Sequence, residues 1–336
     1  MGPSLTKSVP KVLHLVAGRP MLAHVLDAVS ASTTGMPVNI VVVVGHGANQ
    51  VQEMFPSGAS ADRSLRFVEQ SQQLGTGHAV LQAAPLLDEA VPTLVLYGDV
   101  PLIRSTTLQR LLAVGGDVAL LTVQLAQPAG YGRIVRDWHG NVLRIVEERD
   151  ADEDERKLTE VNTGILIAPT ARLKRWLKAL SNDNEQREYY LTDVIAQAVA
   201  ERCRVIAVEC SDSDETRGVN SKEQLAIVER IAQRRVASEL MECGTTLADP
   251  ARIDVRGKVK VGAGVSIDVG CVFEGQVDLA DGVRIGAYCV LRNCSVGAGT
   301  ELLPFSHLDG ATIGAAARIG PYSRLRPGAH LSDEVH

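Results

Sequence analysis

A carboxylate closes an apolar run in the first third of the chain. The run TLVLYGD (93–99) reads as a buried strand and ends in Tyr97, Gly98 and Asp99. In open α/β sheets, ligands bind in the crevice at the carboxyl ends of the strands. Mg²⁺ prefers one or two carboxylates together with substrate oxygens. Asp99 is therefore a candidate Mg²⁺ ligand, and the alternative is an ordinary aspartate that caps the next segment.

A glycine-containing segment, QSQQLGTGHA (70–79), could hold a second part of a ligand. The glycines that flank Thr76 let backbone amides approach a ligand before a helix begins, although a GTG triplet also fits an ordinary strand–helix turn. His46 and His78 invite a catalytic interpretation. Phosphoryl transfer to an ionised phosphate nucleophile needs positioning and cations but no general base, so we predict that both histidines are structural.

The elements that position these residues follow an α/β pattern over residues 10–220. Amphipathic stretches at Met21–Val29 and His78–Leu87 alternate with apolar runs. Continuous apolar strands with intervening helices predict a Rossmann-like α/β sheet covered on both faces. The predicted strands are residues 38–44, 93–99, 117–125, 161–168 and 203–209.

A long helix is predicted over residues 221–242. Leu225, Val228, Ile231 and Val236 form an apolar stripe among charged residues, and Gly244 is a plausible C-cap. We interpret this helix as a connector between two domains.

From residue 253 onward, apolar residues recur at every sixth position. Neither a helix, with a period of 3.6, nor a strand, with a period of 2, explains this spacing. The hexapeptide β-helix does, because each apolar residue points inward from one face of a triangular prism. The register slips by one residue at Val296 and again at Ile313. The apolar positions are Val255, Val261, Ile267, Phe273, Leu279, Ile285, Leu291, Val296, Leu302, Leu308, Ile313, Ile319, Leu325 and Leu331.

Composition limits the remaining possibilities. A chain of 336 residues suggests two domains, which we place at 1–220 and 249–336 with a linker helix at 221–248. The net charge of −6 and the scattered lysines and arginines argue against a nucleic-acid partner. Six widely spaced cysteines without a CxxC pair suggest reduced thiols that act as small hydrophobic residues. With no long apolar run and no signal peptide, we expect a cytoplasmic protein without membrane contact.

Short motifs in a fixed order give these features a common explanation. The chain resembles the bacterial bifunctional UDP-N-acetylglucosamine pyrophosphorylase and glucosamine-1-phosphate N-acetyltransferase family. That family joins a nucleotidyltransferase domain to a left-handed parallel β-helix, and the resemblance covers residues from about 8 to 336. The motifs that carry it are PKVLHLVAGRPML (10–22), GHG (45–47), Q-x4-GTGHA (70–79), LYGDVPL (96–102), GYGRI (130–134), IVEERD (145–150), VNTGI (161–165), EYYLTD (188–193) and GVNS (218–221).

The resemblance implies roles for the residues that match the nucleotide side of the site. Lys11 matches a lysine that contacts substrate phosphate, and Asp99 and Asn220 match the two Mg²⁺ ligands. The residues that match the pocket for uracil and ribose are Gln70, Gly75, Thr76, Tyr97 and Gly98.

On the sugar side, Gly132 matches a glycine whose backbone meets the sugar, and Glu147 and Asn162 match the pair that binds the sugar and its N-acetyl group. Arg326, in RLRPGAHL, matches an arginine that binds sugar phosphate in the acetyltransferase site. The implied reaction is attack by N-acetylglucosamine 1-phosphate on the α-phosphorus of UTP. It gives UDP-N-acetylglucosamine, a precursor of peptidoglycan and lipopolysaccharide, and pyrophosphate. The resemblance also implies a homotrimer.

The sequence departs from the family pattern at both ends. A strand and a loop of the type LAAGxGTRM precede the PKVL stretch in the family, whereas MGPSLTKSV stands here and the loop arginine falls on Ser4. Loss of one phosphate contact of that kind costs roughly 10²–10³ in rate, so we expect impaired activity and hypothesise a truncated or late start. The chain ends at His336, before the family's acetyltransferase coils, so we also expect no acetyltransferase activity.

Two other functions remain open on sequence alone. PSLTKSVPKVL also resembles a segment of guanylyl- and adenylyltransferases that act on sugar 1-phosphates, although GTGHA, GYGRI and NTGI favour the uridylyl enzyme. The other alternative, suggested by the departure at the N-terminus, is a catalytically impaired trimeric scaffold.

Overall fold

The computed structural model describes residues 9–59, 63–114 and 117–336. The expectations for residues 1–8, including Ser4, lie outside the described residues. The chain divides into two compact units. The N-terminal unit contains residues 9–13 and Met21–Asn220, and the C-terminal unit contains His14–Pro20 and Ser221–His336. The domain bounds given above stay predictions.

The N-terminal unit contains a six-stranded sheet and a three-stranded sheet. The central strand of the larger sheet is Glu160–Pro169, which pairs antiparallel with each of its three described neighbours. The strands of this sheet are Pro92–Val95, Val118–Gln124, Arg133–Arg136, Val142–Val146, Glu160–Pro169 and Val205–Glu209. The strands of the smaller sheet are Val38–Val44, Gly58–Ala59 and Arg63–Glu69.

The sheet arrangement corrects two sequence expectations. The predicted single sheet is two sheets, because no strand in the described ranges pairs with both Val38–Val44 and Pro92–Val95. The predicted buried strand at residues 93–99 ends at Val95 and is only half-buried, and Val38–Val44 is half-buried apart from Val44. Each of these two strands pairs with a described strand on one side only, and an edge strand leaves part of its surface accessible.

Helices pack on the sheets of the N-terminal unit and complete its core. Met21–Ser32 confirms the predicted first helix and extends it, burying Met21 fully. The predicted helix at His78–Leu87 begins at Thr76 and ends in a 3₁₀ turn, where Pro85 removes a backbone donor. The α-helices are Met21–Ser32, Ala48–Met54, Thr76–Ala83, Ser105–Ala113, Thr170–Lys178 and Asp193–Ala200, and the 3₁₀ turns are Lys11–Leu13, Ala84–Leu86, Glu155–Lys157 and Ser213–Thr216.

The predicted connector is the helix Lys222–Glu242, the first long element of the C-terminal unit. Ser221 begins it with a capping box: the Ser221 hydroxyl accepts from the Gln224 amide, and the Ser221 amide donates to the Gln224 side chain. Val228 and Ile231 of the predicted stripe are buried. Gly244, at φ +90°, follows the helix end in the left-handed region, as expected for a C-cap glycine.

The rest of the C-terminal unit is a left-handed parallel β-helix, which confirms the predicted fold class. Each strand pairs in parallel with its equivalent in the next turn, for example Ile253 with Cys271 and Val290 with His307. The strands of the β-helix are Thr246–Leu247, Ile253–Val261, Ser266–Ile267, Cys271–Leu279, Arg284–Ile285, Val290–Val296, Glu301–Leu302, His307–Asp309, Thr312–Ile313, Arg318–Ile319, Arg324–Leu325 and His330–Leu331. The C-terminal unit also contains a hairpin, in which Leu15–Val16 pairs antiparallel with Arg19–Pro20.

The six-residue period fills the interior of the β-helix. Most of the predicted apolar positions are buried, whereas Val261, Leu325 and Leu331 are partly exposed. The first register slip coincides with a shift in pairing between Glu274 and Val277, where Asn293 takes a φ of 46°.

The cysteines are free thiols, and all but Cys243 are buried. Burial raises the pKa of Cys271 and Cys294 to about 12, so both stay protonated and pack as small apolar groups. No helix in the described part of the chain is long and apolar enough to cross a membrane.

Candidate active site

A 3₁₀ turn at Lys11–Leu13 presents the first candidate residue. The Leu13 amide closes the turn on the Pro10 carbonyl at 2.9 Å, and the Leu13 side chain is buried. A side chain on Gly47 would collide with the Pro10 ring at 2.6 Å, so the GHG motif lies directly against this turn. Pro10 and Leu13 therefore fix the backbone that carries Lys11.

Lys11 contacts the two residues that the resemblance assigns to a metal. Its ammonium donates to Asn220 Oδ1 at 2.7 Å and forms an ion pair with Asp99. The amide of Val219 donates to the Asp99 carbonyl at 3.0 Å and fixes Asn220 beside the strand end. Two oxygen ligands from distant parts of the chain thus converge on one cation, with the Asp99 side chain only 14% exposed.

This donor set fits Mg²⁺ in its chemistry. Asp99 and Asn220 supply a carboxylate and an amide oxygen, and Mg²⁺ commonly takes few protein ligands and fills its remaining positions with water and phosphate oxygens. Among the described residues, no group of three or more histidine, cysteine, aspartate or glutamate side chains could hold a metal. The described residues therefore do not supply a complete set of protein ligands for a metal, and Asp99 and Asn220 would share the ion with water and phosphate oxygens.

The GTG segment packs against the EYYLTD segment. Gly75 has a φ of 103°, and a Cβ there would lie 2.7 Å from the Tyr189 carbonyl, so the position requires glycine. The Thr76 hydroxyl accepts from the Leu191 amide at 3.2 Å. Gln70 donates from Nε2 to the Gly75 carbonyl at 3.1 Å. These contacts fix the backbone of the GTG segment, and Thr76 is exposed at its tip.

Tyr97 connects the GTG loop to the rest of the site. Burial raises its pKa to about 12, with smaller contributions from the charges of Glu147 and Asp99, while a hydrogen bond with Thr76 lowers it. The phenol therefore stays neutral at physiological pH and acts as a hydrogen-bonding group rather than a base. Gly98 follows, and a Cβ there would meet Val12 at 3.1 Å, so the strand end lies against the Lys11 turn.

Gly132, Glu147 and Asn162 form a second group, on three adjacent strands or strand ends. The Asn162 amide donates to the Gly132 carbonyl at 2.8 Å. A Cβ on Gly132 would lie 3.5 Å from both carboxylate oxygens of Glu147. The Asn162 side chain accepts from the Gly164 amide at 3.1 Å, and Gly164 in turn lies against the Tyr97 ring. Tyr97 thus links this group to the cation cluster.

Glu147 is held in an electrostatically unfavourable place. Burial raises its pKa, the charges of Asp193, Asp150 and Glu188 raise it further, and a hydrogen bond from Thr192 opposes them. The Thr192 hydroxyl donates to Glu147 Oε1 at 2.9 Å. A carboxylate kept at a cost in folding free energy is typical of a functional position.

Replacing Glu147 with glutamine is expected to raise the melting temperature at neutral pH by about 1–3 °C. The raised pKa means that the fold favours protonated Glu147, so the wild type loses stability as pH rises above the ordinary glutamate value of 4.5. Below that pH, Glu147 is protonated in both the folded and the unfolded wild type, so the stability advantage of the variant should vanish. Thermal melts across this pH range check the sign, with the exposed Glu185→Gln as control. An advantage that grows towards acid pH would contradict the argument.

The His78 ring lies between two glutamine side chains, and its structural role stays a prediction. Its Nδ1 lies 3.0 Å from Gln70 Nε2, and its Nε2 lies 3.1 Å from the Gln82 side chain. The ring thereby holds Gln70, which also bonds to Gly75, in one orientation. The prediction for His46 remains a prediction.

The structure brings together all but one of the predicted site residues. Lys11, Asp99 and Asn220 form the cation cluster, and the remaining N-terminal candidates connect through Tyr97. Arg326 belongs to the C-terminal unit, where it is exposed in the turn between Arg324–Leu325 and His330–Leu331. The roles assigned to these residues stay predictions.

Three residues that the sequence analysis did not single out support this arrangement. Thr192 donates to Glu147, Gly164 gives the Tyr97 ring its space, and Val12 contacts Gly98. Each of these residues belongs to one of the motifs EYYLTD, VNTGI and PKVL. The sequence does not show which residue of a motif supports the site, because that depends on the residue it contacts in the fold.

An α/β unit in which a lysine, a carboxylate and an amide meet, followed by a hexapeptide β-helix, has the architecture of a nucleotidyltransferase joined to an acyltransferase-type repeat. Residues 1–187 match the family model of the MobA-like NTP transferase domain. The chain is 57% identical to the bifunctional protein GlmU of Burkholderia thailandensis, 55% to that of Cupriavidus pinatubonensis and 54% to that of Herminiimonas arsenicoxydans. Each alignment covers the whole chain and 73% of the relative. The chain belongs to the GlmU family.

Proposed function

We propose that the chain catalyses uridylyl transfer from UTP to N-acetylglucosamine 1-phosphate. The observation that carries the proposal is that Asp99, which contacts Lys11 beside Asn220, lies two residues after Tyr97, whose ring lies against Gly164, the donor to Asn162. A cation cluster suits phosphates, and the adjoining carboxylate and amide suit a sugar with hydroxyl and N-acetyl groups. The 54–57% identity to GlmU proteins supports the same reaction.

In this reaction a phosphate oxygen of the sugar phosphate bonds to the α-phosphorus of UTP, and the bond to the bridging oxygen of pyrophosphate breaks. The nucleophile is already ionised, so no side chain has to remove a proton. Lys11 binds a phosphate oxygen and offsets negative charge as it builds up. Mg²⁺ held by Asp99 and Asn220 would supply further neutralisation of the phosphates.

The remaining residues bind and orient. Gln70, Gly75 and Thr76 are proposed to hold the uracil and ribose, with Tyr97 and Gly98 lining the same pocket. The Gly132 backbone, Glu147 and Asn162 are proposed to hold the sugar. Fixing both substrates in line with the reacting phosphorus is the main source of rate in such a reaction.

The test is a substrate comparison with the purified chain and Mg²⁺. We expect pyrophosphate release with UTP and N-acetylglucosamine 1-phosphate, and much slower release with GTP or ATP or with glucosamine 1-phosphate. A preference for GTP or ATP would instead support the alternative sugar-1-phosphate nucleotidyltransferase. No turnover, together with no rise in melting temperature on addition of UDP-N-acetylglucosamine, would support the scaffold.

We further propose a homotrimer built through the β-helix, which the family resemblance supports. Native mass spectrometry of the full chain should show a trimer, and a monomer at micromolar concentration would contradict it. Arg326 remains a proposed sugar-phosphate ligand of the β-helix unit.

A further inference from the structure

The hairpin that carries two of the proposed sugar ligands loses its strand pairing just before it reaches them. Its two strands pair antiparallel up to Arg133 and Val146, which form the last pair. Gly132 and Glu147 are the next residues on the two sides, and both lie outside the paired strands. A Cβ on Gly132 would lie 3.5 Å from both Glu147 carboxylate oxygens. These two residues therefore face each other at a point where the hairpin ladder no longer sets their separation.

A buried ion pair joins the two segments at this point. Arg133 Nη2 donates to Glu148 Oε2 at 2.5 Å, and the Arg133 side chain is only 2% exposed. Arg133 Nη1 donates to the Tyr131 carbonyl. The guanidinium is thus bonded to the residue before Gly132 and to the residue after Glu147. Each of the two facing residues is directly next to a residue that this ion pair holds.

The other bonds of the sugar group have a different effect. The Gly132 carbonyl accepts from the Asn162 amide at 2.8 Å. The Glu147 carboxylate accepts from the Thr192 hydroxyl at 2.9 Å. Both bonds orient one residue on a third segment of the chain, and neither joins the two sides of the hairpin. The Arg133 guanidinium and the Glu148 carboxylate make that direct connection.

Stability alone does not account for a charged pair at this position. Arg133 Nε is buried and has no hydrogen-bond partner among the described residues. A buried donor without a partner costs free energy of folding. Apolar side chains of similar volume can often replace a buried ion pair without loss of stability. A role in setting geometry gives this pair a reason that packing does not.

We propose that Arg133 and Glu148 are positioning residues for the sugar phosphate. Their ion pair fixes the distance between the Gly132 backbone and the Glu147 carboxylate, so that one sugar can contact both. The inference rests on the proposed function, and neither member of the pair is among the proposed substrate ligands. The proposed uracil and ribose ligands lie on other segments, so loss of the pair should weaken binding of the sugar phosphate and not of UTP.

Three variants and one matched control test this proposal. Arg133→Met removes the guanidinium and leaves Glu148 without its cation. The double variant Arg133→Met with Glu148→Leu replaces the whole pair with apolar side chains. Arg133→Lys keeps the charge but lacks the planar fork that bonds two acceptors at once. The control is Arg144→Met, which breaks an ion pair with Glu155 on the same hairpin, where the Arg144 side chain is 44% exposed.

We expect Arg133→Met and the double variant to raise the KM for N-acetylglucosamine 1-phosphate by about 10-fold or more, with the KM for UTP within about 2-fold of the wild type. Arg133→Lys should raise the KM for the sugar phosphate by about 3- to 5-fold, and Arg144→Met should leave it unchanged. Melting temperatures separate position from stability. Arg133→Met should melt earlier than the wild type, whereas the double variant should stay within about 3 °C of it.

Calorimetry measures the same effect without turnover. UDP-N-acetylglucosamine should bind about 10-fold more weakly to the double variant, while UDP, which lacks the sugar, should bind as it does to the wild type. A folded double variant with the wild-type KM for the sugar phosphate would overturn the positioning role. Arg133→Lys provides the same test if the other variants do not fold, because a wild-type KM there would also overturn it.

Equal rises in both KM values would overturn the proposal as well, because they would indicate a general loosening of the N-terminal unit. All of these outcomes leave the proposed function intact. A wild-type chain without turnover, tested with all substrates above, would count against the proposed function instead.

Discussion

Asp99→Asn is expected to lower kcat for uridylyl transfer by about 10³-fold while leaving the fold intact. The change keeps the shape of the side chain but removes the negative charge that faces Lys11 and that would hold Mg²⁺ beside Asn220. Metal and cation stabilisation of phosphoryl charge contributes several kcal/mol, and about 1.4 kcal/mol corresponds to tenfold in rate. The turn after the strand Pro92–Val95, which carries Asp99, is otherwise held by backbone bonds, including that from Val219.

The measurement separates chemistry from binding. Steady-state kinetics over a range of Mg²⁺ concentrations should show that excess metal recovers part of the rate, and calorimetry should show that UDP-N-acetylglucosamine still binds. Asp183→Asn, on an exposed loop of the same unit, is the control for a generic loss of charge. An Asp99→Asn enzyme with a rate close to that of the wild type would remove Asp99 from the site and with it the proposed metal ligation.

The sequence predicted those parts of the structure that depend on local patterns. The six-residue period specified the β-helix because each turn repeats the same requirement for an inward apolar residue. The connector helix was predicted from its apolar stripe, and the structure shows that Ser221 and Gln224 begin it through contacts within one turn of the chain. Asp99 was proposed as a site residue because apolar runs that end in polar residues suggest strand ends, where ligands bind, although the strand itself ends at Val95.

Other features depend on partners that are remote in sequence, and local patterns do not show them. The division of the N-terminal strands into two sheets depends on which strands pair, and nothing in VNIVVVV or TLVLYGD specifies a partner. The hairpin at His14–Pro20 was not predicted, because Ala-Gly is a weak turn signal and Glu229, which accepts from the Ala17 amide, lies far along the chain. The family resemblance assigned Lys11 to the phosphate and Asn220 to the metal, but the hydrogen bond between them was visible only in the structure.

Gly164→Ala is expected to raise the KM for both substrates by about 10²-fold and to destabilise the N-terminal unit by about 2–5 kcal/mol. Gly164 has a φ of 82°, and a Cβ there would lie 2.3 Å from Cε2 of the Tyr97 ring. An alanine in the left-handed region costs roughly 1–2 kcal/mol, and overpacking adds about 1–3 kcal/mol. The Tyr97 ring must move, and the Gly164 amide that donates to Asn162 moves with the strand, so both halves of the pocket are disturbed.

Gly130→Ala provides a matched control for backbone strain alone. Its φ of 87° is close to that of Gly164, but no atom lies within 4 Å of the new Cβ. We therefore expect Gly130→Ala to lose stability through strain and to keep its KM values, because the clash with Tyr97 is what disturbs the site. If both variants lost substrate affinity equally, the KM effect would come from backbone strain and not from the ring.

A second substitution isolates the contribution of the ring. Combining Gly164→Ala with Tyr97→Leu removes the atoms that collide, so the double variant should recover part of the stability that Gly164→Ala loses. Substrate affinity should not recover, because the phenol that bonds to Thr76 and lines the proposed pocket is gone. A non-additive gain in stability without a gain in affinity would therefore show that Gly164 serves the site by giving Tyr97 its position. Additive losses in stability would place the effect of Gly164 in the backbone alone.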